Sequence, residues 1–167
     1  MCSSDLFVSG NNVGTCWAVE KHRVVTCNHN LGEGKDHYIV AGKIRIQCCV
    51  VMRDAKKDYA ILVCAVKLKP LKVSDEEPSI AIVGEGTADN DVKIRKRIQI
   101  LMTIKAPLGS SGSPVLDGGK VTGMIIGNYK DQGVILHVSA INRKEIKFKR
   151  TEKQEAARDA ARDAASK

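Results

Sequence analysis

The feature that most constrains the fold is a regular succession of short apolar runs separated by turn residues. The runs are rich in Val and Ile and are bounded by Gly, Asn, Asp or Lys. They cover residues 15–19, 23–27, 38–40, 44–52, 59–63, 79–83, 98–104, 114–116, 121–126 and 134–138. Many short β-branched segments at turn-punctuated spacing are typical of sandwiches and barrels. The sequence therefore predicts an all-β chain.

A break in this series divides the predicted strands into two groups. Residues 1–67 and 79–141 each carry several runs, and residues 68–78 have the character of a linker. A chain of 167 residues suits one domain, or two half-domains that share a cleft. We therefore predict two barrels joined by the linker. The remaining residues, 142–167, are charged and rich in Ala, which predicts a helical tail.

The cysteines and the chain's beginning bear on its compartment. No 18 apolar residues run uninterrupted, and the first ten residues have no basic segment leading into a long apolar stretch. We expect neither a signal peptide nor a membrane span. The six cysteines are then expected to be reduced thiols of an intracellular protein, cytoplasmic or nuclear. None of them has Cys-x-x-Cys spacing, so we expect no metal and no other cofactor.

The net charge of +8 could attract nucleic acid, an anionic membrane or an acidic protein. The basic residues cluster at 93–97 and 143–153, and neither cluster is interleaved with the aromatic residues that single-strand binding surfaces use for stacking. Solvated faces are the favoured interpretation. Weak binding of nucleic acid or an acidic protein is retained as a secondary expectation.

A glycine-bounded turn at residues 109–114, Gly-Ser-Ser-Gly-Ser-Pro, is the strongest candidate for chemistry. Gly109 and Gly112 can take backbone angles that other residues avoid, so the N–H groups around Ser110 and Ser111 could point into a cleft. An oxyanion hole needs donors aimed in this way. The alternative is a plain Gly-Ser turn before a hairpin.

A serine nucleophile needs a base, and a histidine at the end of a strand supplies one. His29 follows the run Val24–Asn28, whereas His22 and His37 lie among turn residues, and His137 is expected to pack in the core.

A carboxylate would complete the set by fixing the tautomer of the imidazole. Asp58 opens the apolar run 58–62 and is the stronger candidate; Asp54, in a loop of charges, is the weaker one.

His29, Asp58 and Ser111, in that order, resemble the triad of the trypsin-like (chymotrypsin-fold) serine peptidases. The residues around each of them, and the run 14–19 before the histidine, are similar to the family's patterns, so the resemblance covers about residues 14–141. The likeness is greatest to non-secreted, HtrA-like, glutamyl-endopeptidase-like and viral members.

This resemblance implies two six-stranded antiparallel β-barrels with the active site in the cleft between them. It also implies a serine endopeptidase that acts on polypeptides through an acyl-enzyme. His29 would be the general base and Asp58 its orienting acid. The N–H groups of Gly109 and Ser111, in a loop completed by Ser110, would form the oxyanion hole.

Two departures from the secreted members stand out. Ser110 replaces the Asp that receives a new N-terminus in those enzymes, and Asn30 replaces a half-cystine after the histidine. Without the ion pair between that Asp and the new N-terminus, we expect packing around Pro107 and Leu108 to hold the oxyanion loop.

The resemblance also places the substrate site. Residues 126–128 (Ile126, Gly127 and Asn128) would form the edge strand along which substrate lies. Lys105 would stand at the base of the specificity pocket, with Gly133 and Asn128 on its walls. An ammonium there favours acidic side chains, whereas a Lys105 turned to solvent would leave a small apolar pocket near Ala106 and Ile135. Both alternatives exclude Arg and Lys.

Two other functions compete with catalysis. A degenerate peptidase fold could bind peptides without cleaving them, and a basic β-barrel could bind nucleic acid. The complete triad argues against the first function, and the second rests on charge alone.

Overall fold

The computed structural model describes residues 4–34, 36–74, 99–102 and 105–141. The described residues form ten strands and two short 3₁₀ helices, Asn28–Asn30 and Val138–Ala140. The strands are β1 (Asp5–Ser9), β2 (Asn12–Glu20), β3 (Arg23–Thr26), β4 (His37–Ala41), β5 (Ile44–Asp54), β6 (Tyr59–Cys64), β7 (Gln99–Leu101), β8 (Pro114–Asp117), β9 (Lys120–Tyr129) and β10 (Gln132–His137).

The first six strands close into an antiparallel barrel. Their order around it is β1, β2, β3, β6, β5 and β4, and the pairing of β1 with β4 completes the circle. Closure leaves the barrel without a free sheet edge. The rigid wall thus formed carries both β3, which ends before His29, and β6, which begins after Asp58.

Strand β6 separates two hydrophobic cores. Ala60 and Leu62 belong to a cluster with Phe7 and Ile39 of the barrel, whereas Tyr59 and Ile61 belong to a second cluster. Successive side chains of a strand point to opposite faces, so a strand between two cores is apolar at every position. This explains why the run 59–62 is buried throughout.

The second core is shared by the barrel and a four-stranded sheet. The sheet has the order β7, β10, β9, β8, all antiparallel. Its Met124 and Leu136 are fully buried in the same cluster as Trp17 and Val25 of the barrel. The two parts are therefore packed directly on one another, with the serine turn and the histidine helix at their boundary.

The prediction of an all-β chain with a six-stranded first barrel is confirmed. Strand β1 was not predicted. Of the second barrel, the described residues contain four strands; the predicted strand at 79–83 lies outside them. The tail at 142–167 and both basic clusters also lie outside the described residues, and the domain boundaries stay predictions.

The helices within the described ranges are short. None of them has the length and apolar character needed to cross a bilayer.

Candidate active site

His29 and Asp58 make two hydrogen bonds that fix their relative orientation. His29 Nδ1 lies 2.5 Å from Asp58 Oδ2, and the His29 backbone N–H donates to Asp58 Oδ1 at 2.9 Å. Because both carboxylate oxygens are used, the carboxylate cannot rotate without losing one of these bonds. Because Nδ1 is bonded to Asp58, the other ring nitrogen, Nε2, is the one left to bond to a partner in the cleft.

A strained turn presents Asp58 to the histidine. Residues 55–58 form the turn before β6, and Asp58 itself has a φ of 63°. Asp and Asn tolerate the left-handed region better than most residues do. The other acidic candidate, Asp54, has a structural role, because its Oδ1 accepts the Lys57 N–H at 2.9 Å and closes the turn.

Asp58 also sets the electrostatics of the imidazole. Its hydrogen bond raises the pKa of His29, burial of the ring opposes that shift, and the charge of the carboxylate reinforces it. About half of the His29 side chain is exposed, against 24% for Asp58. The carboxylate therefore favours the protonated imidazole, which is the state that a general base reaches after it takes a proton.

The serine turn is defined by one backbone hydrogen bond and by the conformation of Gly109. The Ser110 N–H donates to the Pro107 carbonyl at 3.2 Å, and Gly109 has a φ of 82°. An i to i+3 bond with a positive φ at the third residue is characteristic of a type II turn. The turn uses the N–H of Ser110 and not those of Gly109 and Ser111, the two predicted oxyanion donors.

Hydrogen bonds, rather than packing, hold this turn. The Ser110 hydroxyl donates to the Pro107 carbonyl at 2.5 Å, and the Thr15 hydroxyl donates to the Gly109 carbonyl at 2.9 Å. The Gly109–Ser110 peptide is thus held at both its C=O and its N–H. Leu108 is fully exposed, so the prediction that it packs under the loop is wrong; polar contacts replace the packing.

The turn continues into a close fit against the barrel. The Thr15 N–H donates to the Ser111 carbonyl at 2.9 Å, and the Gly112 N–H donates to the Ile125 carbonyl at 2.7 Å. Gly112 has a φ of 97°, and a Cβ there would overlap the Thr15 carbonyl oxygen. Only glycine fits at this position, because both the angle and the space exclude a side chain.

Asn30 joins the serine turn to the histidine helix. Its side-chain amide donates to the Ser111 carbonyl at 2.8 Å and to Thr26 Oγ1 at 3.0 Å. Among the described residues, the hydrogen bond between Ser111 and the histidine helix joins the Ser111 main-chain carbonyl to this amide. From the sequence, Asn30 stood out only as a departure from the secreted enzymes, and the contacts of Thr15 were missed.

The predicted substrate residues fall into two groups. Asn128 Oδ1 accepts the Ala106 N–H at 2.7 Å, and Asn128 Nδ2 donates to the Ala106 carbonyl at 3.0 Å. A Cβ on Gly133 would lie 3.1 Å from Ala106 Cβ, so these three residues are brought together. Lys105 is exposed.

The predicted edge residues lie at the end of β9, which is an inner strand of the sheet, between β10 and β8. Gly127 and Asn128 pair with β10, whereas the pairing with β8 covers residues 120–124, so the edge character is limited to the end of the strand. Ile126 and Gly127 are partly buried, Asn128 is exposed, and Gly127 has a φ of 152°.

A group of possible metal ligands overlaps the site, but it does not suit an ion. Ligand atoms of Cys27, His29 and Asp58 lie within 4.8 Å of one another. The Cys27 thiol is buried and donates to the Ile125 carbonyl at 3.2 Å, and burial strongly raises its pKa. A metal binds the thiolate, not the thiol. The arrangement therefore favours a protonated, structural Cys27.

The other histidines have structural contacts. His37, expected in a turn, is instead buried on β4 with its Nδ1 2.6 Å from Ser9 Oγ on β1. His137 is buried, as predicted, and its Nδ1 accepts the Ser139 N–H at the start of the second 3₁₀ helix.

Comparison with solved structures identifies the fold. The Rv3671c protease of M. tuberculosis in its inactive form is similar at a TM-score of 0.60 and 21% identity, over 82% of this chain and 84% of that one. A serine endoprotease from Yersinia pestis gives a TM-score of 0.65 at 14% identity, over 83% of this chain and 59% of that one. A human astrovirus serine protease gives 0.55 at 15% identity, over 81% and 89%.

No protein-family model matches the chain, and no curated protein does. The structural matches nevertheless agree with the barrel and sheet described above. The chain has the chymotrypsin fold.

Proposed function

We propose that this chain is a serine endopeptidase in which His29, Asp58 and Ser111 form the catalytic triad. The observation that carries the proposal is the double hydrogen bond between His29 and Asp58 at 2.5 and 2.9 Å. A carboxylate on Nδ1 orients the imidazole so that Nε2 can accept a proton. The position of this pair beside a glycine turn that presents Ser111, on a chymotrypsin fold, supports peptide-bond hydrolysis.

The mechanism follows from these roles. His29 Nε2 takes the proton of the Ser111 hydroxyl as its oxygen attacks the scissile carbonyl. The N–H groups of Gly109 and Ser111 donate to the oxyanion, and each such donor is worth about 3 to 4 kcal/mol. His29 then protonates the leaving amine, and water activated by the same imidazole hydrolyses the acyl-enzyme.

Substrate recognition is proposed along the end of β9. An extended peptide would add as a strand beside Ile126, Gly127 and Asn128. At the proposed specificity pocket next to it, the Asn128 amide bonds to both polar groups of the Ala106 backbone. This bridge reduces the room for a side chain. Together with the exposed Lys105, it favours a small, uncharged residue before the cut bond.

A reducing compartment forms part of the proposal. Five cysteines, Cys16, Cys27, Cys48, Cys49 and Cys64, are free in the described residues. Cys48 and Cys64 are direct cross-strand partners, and both are free. An intracellular location is consistent with that state.

Covalent labelling tests the activity. The wild-type protein should react with a fluorophosphonate probe, and Ser111→Ala and His29→Ala should not, while all three keep the same thermal midpoint. A folded wild-type protein that does not label would instead support the degenerate peptide-binding module.

A peptide-library profile tests the pocket. We expect cleavage after small uncharged residues. Cleavage after Glu that disappears in Lys105→Ala would show that the ammonium forms the pocket's base, and efficient cleavage after Arg would overturn the pocket assignment.

A further inference from the structure

The amide of Asn30 occupies a buried junction between the two halves of the site. Asn30 is only 3% exposed and ends the 3₁₀ helix that carries His29. Both N–H groups of its amide are used, one on Ser111 and one on Thr26. A buried amide whose two N–H groups are both hydrogen-bonded holds its neighbours in one arrangement, because any movement would leave a buried donor unpaired.

The junction is closed by a chain of hydrogen bonds. Thr26 Oγ1 accepts from Asn30 and donates to the Thr15 carbonyl at 2.7 Å, and Thr26 is fully buried. The Thr15 N–H in turn donates to the Ser111 carbonyl. The Ser111 carbonyl thus receives two donors, one from β2 and one from the histidine helix. These hydrogen bonds form a closed circuit that connects Asn30, the residue after His29, with Ser111.

The sequence makes room for this amide at one position of β2. A Cβ on Gly14 would overlap Asn30 Nδ2 and lie 2.7 Å from Asn30 Oδ1. Gly14 does not need glycine for its backbone angle, because its φ is not positive. The space above Gly14 is therefore filled by the Asn30 side chain, and Gly14 is required for that reason.

We propose that Asn30, seated against Gly14, is a positioning residue that fixes the Ser111 main chain relative to His29. The inference rests on the triad of the proposed function and adds to it a residue that touches no substrate. Its amide holds the carbonyl of the nucleophile at a set distance from the helix of the base. Displacement of reacting groups by about 1 Å can cost about 100-fold in rate.

A double-mutant cycle tests this inference. Asn30→Ala removes the two N–H donors of the amide. Gly14→Ala keeps Asn30 but displaces its amide, because the new methyl group takes up the space of the amide. We expect each variant to lower kcat about 10- to 100-fold with KM nearly unchanged. The double variant should be no worse than either single one, because the new methyl group then occupies the space that the amide has left.

Two further variants extend the cycle. Asn30→Asp keeps the shape but places an acceptor against the Ser111 carbonyl, so it should lower kcat at least as much as Asn30→Ala. Asn11→Ala is the matched control. That exposed asparagine lies in the turn between β1 and β2 and makes no side-chain hydrogen bond to the histidine helix or the serine turn among the described residues, so its loss should leave kcat unchanged.

The readouts separate this inference from the proposed function. If the wild-type protein does not react with a fluorophosphonate, the proposed triad itself is refuted. Given a reactive wild type, additive losses in the cycle, or an Asn30→Ala variant with full kcat and only a lower thermal midpoint, would reduce Asn30 to a structural role. If Asn30→Ala is too unstable to measure, the Gly14→Ala and Asn30→Asp variants carry the same comparison.

Discussion

The two sides of the candidate site are held by different kinds of contact. The proposed base and its acid lie on the closed barrel, and specific side-chain atoms join them: Nδ1 of His29 and the carboxylate of Asp58. The turn that carries the proposed nucleophile lies before β8 of the four-stranded sheet. Its main chain is held by backbone hydrogen bonds, by two glycines with positive φ, Gly109 and Gly112, and by the side chains of Thr15 and Asn30, which donate to its carbonyls.

This difference decides which changes each side can tolerate. The histidine side depends on the chemical nature of a few groups, so a substitution that keeps shape but changes charge should harm it. On the serine side the contacts hold the main chain, so a methyl group that forces the chain away, or the loss of a side-chain donor to one of its carbonyls, should harm it. The following predictions test that contrast, from the largest expected effect to the smallest.

Asp58→Asn should lower kcat/KM about 10⁴-fold, because the amide can hold the wrong tautomer of His29 at equal volume. Steady-state kinetics on a peptide substrate measures the loss. Asp54→Asn is the control, since Asp54 closes the neighbouring turn and has no described contact with His29. A large loss in Asp54→Asn with a harmless Asp58→Asn would reverse the assignment of the acid.

Gly112→Ala should lower the free energy of unfolding by roughly 2 to 4 kcal/mol and lower kcat in whatever protein remains folded. The methyl group would meet the Thr15 carbonyl, and the φ of 97° would be strained. Gly119→Ala is the matched control: Gly119 has a φ of 79° but nothing within 4 Å of a Cβ. Denaturant titration of both should show the larger loss at position 112, and equal losses would mean that the close approach to β2 is unimportant.

Thr15→Val should lower kcat about 10-fold while KM stays the same, because it removes the hydroxyl that holds the Gly109 carbonyl and keeps the side-chain volume. The backbone bond from Thr15 to Ser111 would remain. Thr122→Val, which removes a 3.3 Å bond within the sheet, provides the comparison. If both variants have wild-type kcat, the turn is held without the Thr15 hydroxyl.

The pH profile should show the smallest change. Because Asp58 raises the pKa of His29, kcat/KM should rise with pH through a midpoint above the ordinary histidine value of about 6.5. Because the pKa of His29 is higher in the folded than in the unfolded protein, protonation of His29 stabilises the folded state at pH values below the unfolded-state pKa. This contribution to stability is lost as the pH rises through the folded-state pKa. Asp58→Asn should move the midpoint of its residual activity to lower pH. If the midpoint is the same in Asp58→Asn and in the wild type, the group that titrates in the activity profile is not His29.

Much of the fold could be predicted because its signals are local. Runs such as 23–27 and 59–63 carry their own strand pattern, and the structure places strands at both. Strand β1 was missed because it has only Leu6, Phe7 and Val8 as a signal, and its pairing with β4 is set by barrel closure. Such closure depends on contacts between distant residues, which no local pattern contains.

The same limit applies to the site. The motifs around His29, Asp58 and Ser111 are continuous in sequence and could be selected as candidates, although their roles stay predictions. The contacts of Asn30 with Ser111 and of Thr15 with Gly109 span 81 and 94 residues. Neither asparagine nor threonine has a local pattern that indicates such a contact. Only the packing of the barrel against the sheet brings these residues together.

The core shared by the two halves gives the molecule an internal optical reporter. Trp17 is the single tryptophan of the chain, and it is 1% exposed among buried residues of both the barrel and the sheet. Its emission will therefore shift to the red as soon as water enters between the halves. If the two parts separate before either unfolds, fluorescence will change ahead of the circular dichroism signal of the strands. If the molecule melts as one cooperative unit, the two signals will coincide.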